Sequence, residues 1–126
     1  MKEIILTDKA PAPIGPYSQA VRCGNLLFLS GQIPLDPASG VLAKGIAAET
    51  RQVFENLKAV LEAAGSSLAK VLKVTVYMTN LGEFAEINRV YETYFPSQPP
   101  ARSTVQVAAL PRGVSVEVDV VAETEK

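Results

Sequence analysis

Ile46-Ala47-Ala48-Glu49-Thr50-Arg51-Gln52-Val53-Phe54-Glu55-Asn56-Leu57-Lys58-Ala59-Val60-Leu61-Glu62-Ala63-Ala64 is the stretch from which the rest of the chain is best read. Val53, Phe54, Leu57, Val60, Leu61 and Ala64 recur at three- and four-residue intervals, which sets them along one side of an α-helix. Glu49, Arg51, Gln52, Glu55, Lys58 and Glu62 take the other side, and Gly65 stands where helices commonly end. A helix that is apolar on one side needs a second layer to cover it.

The flanking sequence supplies strands for that layer. Downstream, Val71 to Met78 alternates and is rich in β-branched residues, so it reads as a strand. Glu83 to Phe95 is a second helix with Phe84, Ile87, Tyr91 and Tyr94 on one side; Pro96 stops it, and Pro99-Pro100 keeps the chain extended. Ser103 to Ala108 and Val114 to Val121 are strands, with Pro111-Arg112-Gly113 turning between them. Upstream, Ile4 to Thr7 is a short strand, followed by a turn-rich run through Pro11, Pro13, Gly15 and Pro16. Tyr17 to Arg22 and Leu26 to Ser30 flank the hairpin signal Gly24-Asn25, and Asp36 to Gly40 is a loop. The order β-β-β-α-β-α-β-β predicts an α+β domain over residues 1–126, one sheet with both helices on one side.

Composition narrows the chemistry. The chain has 126 residues, 48% hydrophobic and 20% charged, which suffices for one core without a disulfide or metal staple. It contains no His, which removes Ser–His–Asp triads, His-ligated zinc and His general bases. No metal or cofactor is expected. The formal net charge is −1 with Lys and Arg scattered, a poor match to the cationic footprint of a nucleic-acid binder. The single cysteine, Cys23, excludes an intrachain disulfide and suits a reducing compartment. With no His to activate it, Cys23 reads as a small buried apolar group rather than a nucleophile. Met1 to Asp8 lacks the apolar core of a leader, and no window approaches a membrane span, so a cytoplasmic location is expected.

A few polar residues stand out against this background. Arg102 follows Pro99-Pro100-Ala101, so its position is stiffly set; its guanidinium is either a carboxylate grip or a solvated charge at a strand edge. Glu117, between Val116 and Val118, falls opposite the valines with Ser115 and Asp119. It is either a solvated carboxylate or, at a subunit interface, one that positions water and moves a proton. If the two last strands pair, Arg102 and Glu117 approach one site or form a salt bridge. Tyr17 after the Gly15-Pro16 bend donates a hydroxyl or simply packs. Ser30-Gly31 ends a strand, where glycine admits a ligand to the backbone or only makes a turn. Asn88 on the second helix bonds a loop, a ligand or water.

Several segments together carry a family pattern: Ile14-Gly15-Pro16-Tyr17-Ser18-Gln19-Ala20, Gly24-Asn25, Leu29-Ser30-Gly31-Gln32, Ala48-Glu49-Thr50-Arg51-Gln52-Val53, Pro100-Ala101-Arg102-Ser103, Leu110 and Val116-Glu117. With these the chain resembles the RidA (YjgF) family of reactive intermediate/imine deaminases along nearly its whole length. The resemblance implies a chorismate-mutase-like subunit with one mixed sheet, assembled as a homotrimer with sites between subunits. It implies hydrolysis of 2-aminoacrylate and 2-aminocrotonate, as their imines, to keto acids and ammonia. It further implies Arg102 as the carboxylate-binding residue and Glu117 as the water-positioning one. Tyr17, Ser30, Gly31, Asn88 and Thr104 are implied in the pocket. Thr104 stands where many members carry Cys, which leaves the Arg–Glu pair intact. Two other functions fit the same residues: a non-catalytic trimer that binds small keto acids, and a ribonuclease or translation inhibitor, which the net charge and the missing His disfavour.

Overall fold

The computed structural model describes residues 1–125. The strands are β1 (Lys2–Ile5), β2 (Ala20–Cys23), β3 (Leu26–Gln32), β4 (Val71–Met78), β5 (Ala101–Gln106) and β6 (Val116–Glu123), and the helices are α1 (Ile46–Ala63) and α2 (Phe84–Tyr94). The predicted order of elements holds. β2 begins at Ala20, later than expected; just before it the side chain of Gln19 is turned to the preceding loop. Its buried side-chain amide accepts from the Thr7 N–H at 2.7 Å and donates to the carbonyls of Thr7 and Pro11 at 3.0 and 2.9 Å. That amide pins the proline-rich run against the sheet.

The six strands form one sheet in the order β1-β2-β3-β6-β4-β5. Every pairing is antiparallel except β4 with β5. The exception follows from α2, which carries the chain back along the sheet so that β5 enters parallel to β4. β5 therefore lies at the edge, and β4 separates it from β6. The last two strands, whose pairing would have brought Arg102 and Glu117 together, do not pair: the connection through Pro111-Arg112-Gly113 crosses over β4.

One face of the sheet carries the core. Val116, Val118, Val120 and Ala122 of β6, with Val74, Val76 and Met78 of β4, meet Val53, Phe54, Leu57, Val60 and Leu61 of α1 in one buried cluster. α2 lies beside α1 and buries Ile87, Val90 and Tyr91. The helical periodicity misplaced one residue, Glu49, which is buried rather than on the polar side. Its carboxylate accepts from the Ser115 N–H at 2.9 Å and so fixes the entry to β6. Asn56, also buried, donates to the carbonyls of Ile33 and Leu35 at 3.1 and 2.9 Å and holds the loop that follows β3.

The other face has no helix over it. Ile4, Leu26, Phe28 and Val105 are exposed there beside Tyr77, Glu117 and Asp119. Cys23, expected to be buried, is exposed at the end of β2, because the hairpin turn at Gly24 (φ 63°) follows at once. Among the described residues no helix is long and apolar enough to cross a membrane.

Candidate functional site

The predicted site residues fall into two groups on opposite faces of the sheet. Glu117 anchors the first. It sits between Val116 and Val118, whose side chains are fully buried, so alternation turns its carboxylate to the uncovered face. Across the ladder it is opposite Tyr77. The Tyr77 hydroxyl donates to Asp119 at 3.0 Å, which keeps a second carboxylate two residues along β6. Partial burial, and next the charge of Asp119, raise the pKa of Glu117 above the ordinary carboxylate value. A carboxylate so placed is a better base.

Gly31 gives Glu117 its room. A Cβ at residue 31 would fall on the Glu117 carboxylate, with Cδ only 2.9 Å away. The register of β3 against β6 shifts between Leu29 and Gln32, so the irregular stretch of β3 lies where the side chain crosses it. Ser30 is fixed from both ends: its N–H donates to the Gln19 carbonyl at 2.9 Å and its hydroxyl to the Ser18 carbonyl at 2.6 Å. Tyr17, half-exposed, completes the group. Tyr17, Ser30, Gly31 and Glu117 line a pocket of about 440 Å³ together with Ile14, Ile33, Leu35 and Arg112. The buried amides of Gln19 and Asn56 tie down two of its walls. Sequence reasoning missed Arg112, which it read as part of a plain turn. Its backbone is left-handed (φ 59°, ψ 18°), an uncommon state for a side-chain-bearing residue, and the following Gly113 is left-handed as well (φ 72°).

Arg102 anchors the second group. Its partner in β4 is Val74, fully buried on the helix side, so Arg102 also turns toward the helices. There one guanidinium N–H donates to Asn88 Oδ1 of α2 at 2.8 Å. The guanidinium carbon lies 4.6 Å from the centre of the Tyr91 ring and 5.3 Å from that of Phe84. Asn88, Tyr91 and Arg102 line a second, shallow pocket with Phe95, Pro99 and Pro100. Thr104 lies two residues further along β5, opposite Val76, so it shares the helix-side orientation of Arg102. The periodicity pointed to Phe84 and Tyr91 only as core. Phe84, Asn88 and Tyr91 occur at intervals of four and three residues, the spacing of one helix stripe, and that is where Arg102 lands.

Within one chain Arg102 and Glu117 therefore neither pair nor converge. They point to opposite faces, with β4 between their strands. The structure joins Tyr17, Ser30 and Gly31 to Glu117, and Asn88 to Arg102.

Two helices on one side of a six-stranded mixed sheet, with the candidate polar residues split between its faces, define the class of fold, and known proteins specify it further. Residues 7–124 match the family described as Endoribonuclease L-PSP. A RutC family protein of Pyrococcus horikoshii is 54% identical over 99% of this chain and 100% of its own length. The 2-iminobutanoate/2-iminopropanoate deaminase of Mus musculus is 46% identical over 97% of this chain and 91% of its own. The crystal structure of RidA from the Antarctic bacterium Psychrobacter superposes with a TM-score of 0.94 at 48% identity, covering 96% of this chain and 98% of that one. That of E. coli TdcF with bound serine gives 0.94 at 42% identity, covering 98% and 99%. The chain belongs to the endoribonuclease L-PSP family, which is the YjgF/RidA family of the resemblance. It has the chorismate-mutase-like α+β fold.

Proposed function

We propose that this protein is a 2-iminobutanoate/2-iminopropanoate deaminase whose site is completed between subunits of a homotrimer in the cytoplasm. The observation that carries the reading is the split itself: a guanidinium and a basic carboxylate, each held by its own pocket, on opposite faces of one sheet. A rotational assembly sets unlike surfaces of neighbouring copies against each other, so the Arg102 group of one subunit meets the Glu117 group of the next. The uncovered face, with Ile4, Leu26, Phe28 and Val105 exposed, supplies apolar surface for such packing. The 46% identity to the mouse deaminase supports the choice of reaction.

Arg102 binds the substrate carboxylate through the N–H groups that Asn88 does not engage, and the fork geometry orients the imine carbon. Glu117 accepts a proton from water as the oxygen adds to that carbon. The same proton then passes to the nitrogen, giving the carbinolamine; its hydroxyl proton follows to the nitrogen by way of Glu117, the C–N bond breaks as the C=O bond forms, and ammonia and the 2-keto acid leave. Each cycle consumes one water and returns Glu117 to its carboxylate. Tyr17, Ser30, Gly31 and Thr104 line the assembled pocket. Imines already hydrolyse in water, so general acid–base help of about 10²–10⁴-fold is a sufficient contribution.

The test is a coupled assay. A threonine dehydratase generates the enamine, and 2-oxobutanoate is followed with and without this protein. Acceleration that disappears in Arg102→Ala supports the reading. An unaccelerated reaction with folded protein sinks it, and 2-oxobutanoate binding in that case identifies a keto-acid-binding protein instead.

A further inference from the structure

Arg102 is held by more than the Asn88 hydrogen bond. Among the described residues no carboxylate pairs with it, so no opposite charge fixes its long, flexible side chain. Two aromatic rings lie against the guanidinium instead, and they differ in how firmly they are seated. Phe84, at the start of α2, is 37% exposed; Tyr91, two turns on, is 7% exposed. The Tyr91 ring is packed edge-on against Phe54 of α1, with centres 5.7 Å apart at 80°, and against Phe95, 4.8 Å apart at 42°. Phe54 is itself fully buried in the core. The Tyr91 ring is thus built into the contact between the two helices. Its hydroxyl is buried and finds no hydrogen-bond partner among the described residues, so hydrogen bonding does not account for the placement of this side chain.

We infer that Tyr91 is the positioning residue of the carboxylate clamp: its ring face, fixed by Phe54 and Phe95, holds the Arg102 guanidinium in the plane in which Asn88 Oδ1 meets it. A guanidinium attracted to an electron-rich ring face keeps its N–H groups directed outward in the plane of the fork. Asn88 takes one of them, and the others remain for a carboxylate. The same role falls less heavily on Phe84, whose ring is farther away and partly in solvent. Tyr91 touches no substrate in this scheme; it acts through Arg102. Carboxylate binding is shared by ground state and transition state, so loosening the clamp is expected in KM rather than in kcat.

The inference rests on the deaminase reading for its kinetic arm but not for its spectroscopic one. In the full-length protein, Tyr91→Leu removes the ring, Tyr91→Phe keeps it without the hydroxyl, and Phe84→Leu removes the outer ring without disturbing the core. A cation–π contact of the usual strength corresponds to about 3- to 30-fold in affinity. Tyr91→Leu is expected to raise KM by that factor while kcat falls far less, and Tyr91→Phe to bring KM back within about threefold of the parent. In parallel, the Arg102 Nε–H resonance, assigned by its loss in Arg102→Lys, is expected at high field from the ring currents. It moves toward the free-arginine position in Tyr91→Leu and stays in Tyr91→Phe. Should Tyr91→Leu not fold, Phe84→Leu gives a smaller shift in the same direction. An Nε–H signal that is unmoved in Tyr91→Leu, or in Phe84→Leu if only that variant folds, overturns the inference. So does a Tyr91→Phe variant as impaired as Tyr91→Leu, since the hydroxyl would then be the acting group. If the parent protein shows no turnover, the deaminase reading fails and the resonance still tests whether the Tyr91 ring lies on the Arg102 guanidinium.

Discussion

The two halves of the candidate site are built on different physical terms. Around Arg102 the guanidinium donates a hydrogen bond to Asn88 and has two aromatic neighbours, all on α2, which is packed against α1. Within one chain, no cation among the described residues pairs with the Glu117 carboxylate: it lies over Gly31 beside a second carboxylate, Asp119, and its pKa is raised. The first half is held by favourable contacts and the second carries an electrostatic cost in the folded chain. On the proposed reading, the contrast suits Arg102 to binding and Glu117 to proton transfer. A clamp benefits from being rigid and permanently charged, whereas a base benefits from an environment that disfavours its charge.

Arg102→Ala breaks the contrast most completely. Losing two charge-assisted bonds to the substrate carboxylate is expected to lower kcat/KM by about 10²–10⁴-fold. Arg102→Lys, which retains charge but not the fork, recovers little of it. The circular dichroism spectrum and Tm of both variants are expected to stay close to the parent.

Glu117→Gln separates function from stability. Deamination, followed by keto-acid release, is expected to fall by about 10²–10⁴-fold as the base is lost. Stability moves the other way. A carboxyl group whose pKa is higher in the fold than in the unfolded chain binds more protons when folded. The fold therefore loses stability as pH rises through the window between the two values. Above that window the chain carries this cost, so Glu117→Gln is expected to melt higher there. The difference in Tm should close as pH falls below the ordinary Glu range. Thermal melts of both proteins across pH check it, and a variant less stable above that window contradicts the assigned environment.

Gly31→Ala sharpens the comparison without touching either charged group. The added methyl meets the Glu117 carboxyl group, which must shift, and a displacement of about 1 Å at a reacting group can cost about 10²-fold in rate. The loss is expected in kcat, in contrast to the KM effect expected at Tyr91. The smallest change is expected from Thr104→Cys. Thr104 shares the helix-side orientation of Arg102 and contacts neither Asn88 nor Glu117 by any hydrogen bond among the described residues. Replacing this hydroxyl by a thiol should alter kcat/KM by about twofold or less, equivalent to about 0.5 kcal/mol.

The order of elements was legible because α1 and β4 repeat at clean periods of a helix and a strand, and Gly24 and Pro96 mark where segments end. The neighbour of β5 was not legible. Pro111-Arg112-Gly113 looks like a hairpin turn locally, and only the return path of α2 shows that β5 enters parallel to β4. For the site, alternation placed Glu117 on the right face, but the residues that hold it in place were hidden. Gln19, Glu49 and Asn56 are polar residues buried to fix loops, and periodicity reads polar residues as exposed. Tyr91 was hidden for the opposite reason: an aromatic residue on a helix stripe reads as core, which it is, and its second contact with Arg102 adds no signal to the pattern.

Mixed assembly tests the division of one site between two subunits most directly. Arg102→Ala and Glu117→Gln proteins, each inactive alone, are unfolded together, refolded as an equal mixture and assayed. If Arg102 and Glu117 come from neighbouring subunits of a ring, random assembly places both native residues at roughly one site in four. About a quarter of the parent activity is therefore expected to return. Recovery of none, with mixed oligomers confirmed by native mass spectrometry, would contradict a site shared between subunits.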